Sequence, residues 1–448
     1  MTALTDASGF RGEADAVFAP RDENELAALL LEAGRERIPV TFLGAGTGIT
    51  GASMPEGGWS VSLEKFRRLE IGQGSAIAGA RISLTELQAA AAPTGQFYAP
   101  DPTEWTASVG GTINTNASGS RSFRYGGTRR HVLRLKAVFM DGQVREFRRG
   151  DAIDFPVPAL PLPATTKSSA GYPLRPGMDW IDLLCGSEGT LAAITEATLQ
   201  LLPKPERLLA GVVFFASEEA ALDAVDAWRG VSGERMLEYM DARSLELMRP
   251  AYGEIPEAAR AALLIEQEDA DADVWVERLE LAGALMEASW FGETDRDRER
   301  FRVFRHALPE RVNATVIHRG FMKLGTDFAV PLHRNREMLA YCRRRLAEDY
   351  RGDYVVYGHA GDAHLHINML PASGEENQAG FRLMNEFARK AVELGGTVSA
   401  EHGLGKRKAH FLGIQYTAAQ LDAMMQVKRR LDPHWLLGRG NLFPPPEV

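Results

Sequence analysis

PVTFLGAGTGITGASMPEGGWSVSL, residues 39 to 63, is the stretch on which the fold turns. Pro39 to Leu43 and Trp59 to Leu63 are apolar runs that read as strands. Between them Gly46, Gly48 and Gly51 fall at the GxGxxG spacing of a dinucleotide-binding turn. The context excludes that motif, which must open a helix whose N-terminus meets the pyrophosphate; here Pro55, Gly57 and Gly58 lead into another strand. Successive N–H groups of such a glycine loop can still form an anion-binding nest without a helix dipole. A plain hairpin connection, the competing reading, takes only about two to five residues.

Before this stretch, Asp22 to Ala33 reads as a helix: Asp22 and Glu25 suit a capping box, Leu26, Leu29 and Leu30 share a face, and Gly34 can end it. After it, Ser83 and Glu86 cap a short helix ending near Pro93. A second glycine-rich segment then follows, YAPDPTEWTASVGGTINTNASGSRSFRYGGTRRHV, residues 98 to 132. Its Gly110, Gly111, Thr112, Asn114, Asn116, Gly119, Gly126 and Gly127 let backbone approach a flat ligand and offer directional hydrogen bonds. Trp105, Phe123, Tyr125 and the strand Val132 to Met140 argue against a flexible linker.

Prolines mark a long excursion from Arg149 to Pro176, and Trp180 to Leu202 returns to strand-like sequence. Pro203 to Pro205 is the expected domain boundary. Beyond it the helices Ser217 to Arg229, Asn335 to Tyr350, Glu376 to Leu394 and Ala418 to Leu431 alternate with strands, and no internal repeat appears.

With 448 residues and a net charge of −9, the chain can bury a large core and repels rather than collects a phosphate backbone. No nucleic-acid partner is expected. Arg129 and Arg130, Arg343 to Arg345 and Lys406 to Lys408 read as solvated faces. Cys185 and Cys342 are the only cysteines and give neither a disulfide framework nor a CxxC motif. The N-terminus lacks a signal-peptide pattern and no stretch of 18 apolar residues occurs. The expectation is a cytoplasmic protein, with peripheral attachment to a membrane left open.

Seven segments, in order and across nearly the whole chain, then identify a family: PVTFLGAGTGITGA (39 to 52), APDPTEWTASVGGTINTNASG (99 to 119), RYGGTRRHVLRL (124 to 135), LLCGSEGTLAAITEATLQLLPKP (183 to 205), VYGHAGDAHLHINML (356 to 370), SAEHGLGKRK (399 to 408) and LDPHWLLGRGNLF (431 to 443). The chain resembles the FAD-linked oxidases of the vanillyl-alcohol-oxidase type, in the branch of D-lactate dehydrogenase, D-2-hydroxyglutarate dehydrogenase and the glycolate oxidase flavin subunit. The resemblance implies an α+β fold. A PCMH-type FAD-binding domain of two subdomains would occupy residues 1 to 205, a ferredoxin-like cap 206 to 400, and a segment returning to the FAD domain 401 to 448. It also implies that Gly44, Ala45, Gly46, Thr47, Gly48, Ile49 and Thr50 wrap the pyrophosphate. Pro100, Asp101, Pro102, Thr103, Gly110, Gly111, Asn114 and Asn116 would line the isoalloxazine and ribityl. Glu188, Gly189 and Ile194 would close the adenine side, and Asn441 would return toward the flavin. Covalent members bond the ring to a His or Cys; neither 39 to 52 nor 99 to 119 contains one, so FAD is expected to be noncovalent.

In HLHINM, His364, His366 and Asn368 alternate with Leu365, Ile367 and Met369, the period of a strand with one polar face, and His359 precedes them. Two imidazoles and a carboxylate make a metal site, and Glu401 in AEHG is the available acid, so that His359, His366 and Glu401 would leave an open position for catalysis. Ordinary hydrogen-bonded histidines are the alternative, which the family's GHxGDxxLH and GEHG motifs disfavour. Zinc, manganese or iron would suit such ligands. A metal stabilises a forming alkoxide while a base takes its proton; His402 holds the family's base position. His364 stands where the family more usually has Asn, and is assigned to substrate or metal contact. Arg305 and Lys323 match family positions that bind the substrate carboxylate.

The function so implied is FAD-dependent oxidation of a small 2-hydroxy acid, of the D form (lactate, 2-hydroxyglutarate or glycolate), to the 2-oxo acid. Electrons would pass to a quinone, an electron-transfer protein or oxygen, and a homodimer is compatible. The alternatives are a metal-dependent hydrolase using the same histidines, or a flavin subunit of a larger glycolate-oxidase-like complex.

Overall fold

The computed structural model describes residues 2 to 445. Its N-terminal part holds a three-stranded parallel sheet in which Trp59–Ser62 lies between Ala16–Phe18 and Val40–Leu43. Because the two strands flanking the first glycine loop are parallel neighbours, residues 44 to 58 cannot be a hairpin: they carry the chain back across the end of the sheet without a helix. Gly58 closes the return at φ +70°, where a Cβ would lie 2.3 Å from the Pro39 carbonyl oxygen, so only glycine fits.

Helix Glu23–Glu36 covers this sheet, capped by Asp22, whose carboxylate accepts from the Asn24 and Glu25 amides. Leu26, Leu30 and Ala33 pack with Val40, Val61 and Leu437. The helix runs through Gly34, contrary to expectation, and is closed by Arg37 at φ 60° donating to the Ala33 carbonyl. An interior glycine costs only about 1 kcal/mol, and here Gly34 lies against Met140 at ordinary contact distance.

A five-stranded antiparallel sheet follows, with Val132–Val138 and Ala193–Gln200 at its centre. The second glycine segment contains a helix that its composition does not announce, Val109–Thr115, capped by Ser108. Two glycines weaken it locally, but burial of Val109 and Ile113 fixes it, and a Cβ at Gly110 would lie 2.8 Å from that of Ala80.

The remaining chain builds a seven-stranded antiparallel sheet. Its first four strands, Leu208–Phe215, Glu234–Met240, Ala261–Glu268 and Trp290–Gly292, lie in the order fourth, first, third, second, which is the ferredoxin-like arrangement. Asp353–His359, His364–Leu370 and Leu324–Gly325 extend it. Helices Glu218–Trp228 and Ala272–Leu281 pack on one face through Leu222, Trp228 and Trp275. Helix Asp295–His318 covers the other through Phe304, Leu308 and Val312. Periodicity does not single out this longest helix, because charged residues crowd its outer side and Pro309 lies within it. Among the described residues no helix is long and apolar enough to cross a membrane.

The C-terminal segment comes back to the first sheet: Val40 donates to the Leu436 carbonyl and Gly438 to that of Val40. Lys428 on helix Ala418–Leu431 locks this return. It is fully buried and donates to Asp432 at 2.8 Å, to the Thr190 carbonyl at 2.8 Å and to that of Leu437 at 3.0 Å. Lys428→Met should leave the buried Asp432 carboxylate without its counter-ion and destabilise the protein by about 3–5 kcal/mol. Urea unfolding checks this; a loss below about 1 kcal/mol would remove Lys428 as the lock.

Candidate functional site

A single cavity of about 660 Å³ lies between the two glycine-rich segments and the seven-stranded sheet. Gly44 to Thr50 form one wall. No described residue accepts a hydrogen bond from the amides of Gly44 to Thr50, so the loop offers a row of free N–H donors, which is what an anionic diphosphate needs. Gly46, at φ +74° with nothing within 4 Å of where a Cβ would stand, leaves room for a ligand against bare backbone. Pro102, Thr103, Gly110, Gly111 and Asn114 line the cavity further on, and Glu188, Gly189 and Asn441 join them. The Asn441 amide donates to the Ala52 and Glu188 carbonyls at 2.9 and 3.0 Å, pinning the C-terminal return onto this wall. Burial pushes the Glu188 carboxyl up to about 7, although the Leu404 and Gly405 amides donate to it.

Opposite stand the histidines. Asp353–His359 and His364–Leu370 form a hairpin in which His359 faces His364 and Tyr357 faces His366. His359 Nδ1 is 2.6 Å from Glu238 Oε1, and its Nε2 is 3.0 Å from Glu401 Oε1. His366 Nδ1 donates to the Thr326 carbonyl at 2.9 Å, which leaves its Nε2 lone pair facing Glu401 Oε1 at 3.4 Å. Glu401 is in turn oriented: Lys167 and Ser118 both donate to its Oε2 at 3.0 Å, so Oε1 is the oxygen left for the histidines. Each imidazole thus has one nitrogen fixed by an outer partner and the other turned inward, the usual preparation of metal-ligating histidines.

The ligand atoms of His359, His364, His366 and Glu401 lie within 4.8 Å of one another. Two imidazoles with a carboxylate suit zinc, manganese or iron. The local electrostatics fit a cation as well. Burial alone would lower the His359 imidazole, but Glu238 and Glu401 push it up to about 9, a pull that a metal ion can satisfy in place of the proton. Against burial, His359 and Lys167 hold the Glu401 carboxyl well below its ordinary range.

His402 lines the cavity beside this cluster, its ring stacked on that of His366 at 5.4 Å. Burial, outweighing Asp327 and Glu401, pushes its imidazole down to about 4, so it is neutral at neutral pH. Arg305 donates from Nε to Glu238 at 2.9 Å and also reaches the wall. Lys323 is on the wall with no acidic partner among the described residues, and burial followed by the neighbouring Lys408 pushes it down to about 8.

Some expected contacts lie elsewhere. His364 is fully buried and is not on the wall; its Nε2 sits 3.1 Å from Asp327, and its ligand atom lies within the cluster of His359, His366 and Glu401. Pro100, Asp101, Asn116 and Ile194 are likewise buried behind the lining. Asp101 accepts from Ser120 and Trp105 at 2.7 and 3.1 Å. Asn116 donates to the Ser168 carbonyl at 3.3 Å, tying down the proline-rich excursion. Ile194 belongs to the core of the five-stranded sheet. Glu238, Asp327 and Lys167 were not singled out from the sequence, since each is one acid or lysine among many. Asn368, on the wall, was signalled by its alternation with His364 and His366.

The comparisons with known proteins accord with this geometry. Residues 14–148 match the FAD binding domain, and residues 204–442 match the C-terminal domain of FAD linked oxidases. The D-lactate dehydrogenase of Archaeoglobus fulgidus is 33% identical over 434 residues, covering 95% of this chain and 90% of the relative. The glycolate oxidase subunit GlcD of Bacillus subtilis is 31% identical, over 96% of this chain and 89% of the relative. Among solved structures, an alkyldihydroxyacetonephosphate synthase superposes with TM-score 0.67 at 15% identity, covering 94% of this chain and 75% of that one, a likeness of fold.

Proposed function

This chain belongs to the FAD-linked oxidase family and is an FAD-dependent oxidoreductase, and from that premise we propose that it oxidises a small D-2-hydroxy acid to the 2-oxo acid, with a divalent metal in the histidine cluster. The observation that carries this reading is that the free-amide glycine loop and the His359, His366, Glu401 cluster open into one cavity. Lactate and glycolate are the substrates named for the relatives, and 2-hydroxyglutarate shares their reacting centre.

FAD supplies the hydride acceptor when bound, and a metal supplies a Lewis acid that favours the deprotonated hydroxyl. The chain's own residues do the rest. The amides of 44 to 50 hold the diphosphate, with Pro102, Thr103 and Gly110 to Asn114 along the remainder of the cofactor. Arg305 and Lys323 take the substrate carboxylate, a charge-assisted pairing that fixes the hydroxyl-bearing carbon. Neutral His402 accepts the hydroxyl proton on its cavity-facing nitrogen. His359, His366 and Glu401 are the metal ligands. The electron acceptor is a quinone, an electron-transfer protein or oxygen.

Anaerobic mixing with a panel of D- and L-2-hydroxy acids, with and without chelator, tests this. Bleaching of the flavin by D acids, suppressed by chelator, is the expected result; a colourless protein or bleaching indifferent to chelator contradicts it. Lys323 gives a pH dependence of known sign. It is cationic below about pH 8 and neutral above, so KM for the acid should rise by up to about tenfold per unit above that pH. Lys323→Gln should flatten this rise; an identical profile in the variant removes Lys323 from carboxylate binding.

A further inference from the structure

Behind His402 lies an aspartate that the chemistry above does not use. Asp327 is fully buried just beyond the short strand Leu324–Gly325, which pairs with the second strand of the histidine hairpin. Its Oδ1 is 3.2 Å from His402 Nδ1 and 3.1 Å from His364 Nε2. Oδ2 accepts from Ser399 Oγ at 2.7 Å, from the His402 amide at 3.0 Å and from the Glu401 amide at 3.3 Å. One carboxylate thus holds both the backbone of residues 399 to 402 and the His402 ring.

The ring contact has a direction. His402 Nδ1, His364 Nε2 and Asp327 Oδ1 are all buried and make no hydrogen bond of good geometry among the described residues, with Oδ1 at 3.2 and 3.1 Å from the two ring nitrogens. A buried donor or acceptor left unpaired costs about 1–3 kcal/mol, and Oδ1, which can accept twice, is the acceptor within reach of both His402 Nδ1 and His364 Nε2. Asp327 Oδ2 already accepts three donors, the Ser399 hydroxyl and two backbone amides, and hydrogen bonds donated to a carboxylate favour its ionised form. An ionised carboxylate only accepts, and therefore Nδ1 must carry the hydrogen. The other nitrogen, Nε2, is then the unprotonated one.

We propose that Asp327 is a positioning residue for the oxidation: it selects the Nδ1–H tautomer of His402 and aims the Nε2 lone pair at the substrate hydroxyl. This rests on the reading of His402 as the base. The logic is that of a histidine base oriented by a buried carboxylate, where the isosteric amide leaves geometry intact but presents the wrong tautomer. In Asp327→Asn, the side-chain amide can donate to Nδ1, forcing the hydrogen onto Nε2 and blocking proton acceptance.

The test uses the FAD- and metal-loaded full chain. Asp327→Asn should slow anaerobic flavin reduction by about 10²- to 10⁴-fold, with KM, FAD content and metal content within about twofold of wild type. Nitrogen NMR of ring-labelled histidine, with His402 assigned by its loss in His402→Ala, should show the hydrogen on Nδ1 in wild type and on Nε2 in Asp327→Asn. Rapid reduction retained by His402→Ala defeats the base reading itself. Loss of reduction in His402→Ala but not in Asp327→Asn defeats only the positioning inference. Should Asp327→Asn fail to fold, the wild-type spectrum still decides: a neutral His402 carrying its hydrogen on Nε2 overturns the proposal.

Discussion

His402→Ala is expected to slow anaerobic reduction of the flavin by about 10²- to 10⁴-fold, the range that a positioned general base contributes, while the protein keeps its full complement of FAD. The selectivity follows from position. His402 lies on the cavity wall and is 28% exposed there, so truncating it removes no core packing. None of the residues assigned to the diphosphate or the ring depends on it. Burial has already lowered the imidazole to about 4, so it is unprotonated across the physiological range, and the loss should be nearly independent of pH between about 6 and 8. Stopped-flow reduction with the best D acid of the panel measures it. A variant that is reduced within about threefold of wild type would exclude His402 as the proton acceptor.

Glu401→Gln should have the second large effect, on the metal. Outer partners of ligating groups typically contribute about 10–100-fold in metal affinity, and loss of an anionic ligand should exceed that. Elemental analysis of the purified variant and chelator competition measure it directly, without recourse to turnover. The substitution acts twice, because Lys167 is 3% exposed and has Glu401 at 3.0 Å and Asp362 at 3.6 Å as its counter-ions. Replacing one of them with a neutral amide should therefore also lower stability, since a buried ammonium left half paired is costly. If Glu401→Gln binds metal as tightly as wild type, the ion is not held by this cluster.

The glycine loop at 44 to 50, the alternation of His364, His366 and Asn368, and the carboxylate of Glu401 were all legible in the chain, because each belongs to a local pattern whose period or composition carries meaning. The ends of the helices were less so: Gly34 is an ordinary stop signal, yet the helix continues to Glu36 with Leu26, Leu30 and Ala33 buried against the sheet. Helix Val109–Thr115 was hidden for the same reason, its stability coming from what it packs against.

Local sequence thus determined which residue types were available for chemistry: bare amides for an anion, imidazoles and a carboxylate for a cation, and a histidine for a proton. Tertiary structure alone decided which atom of each does what. Glu238 and the Thr326 carbonyl turn the imidazoles, Lys167 claims one oxygen of Glu401, and Asp327 sits between His364 and His402. The physical reason is that hydrogen-bond direction and charge pairing depend on contacts of about 3 Å between residues far apart in the chain, and no spacing within one segment encodes them.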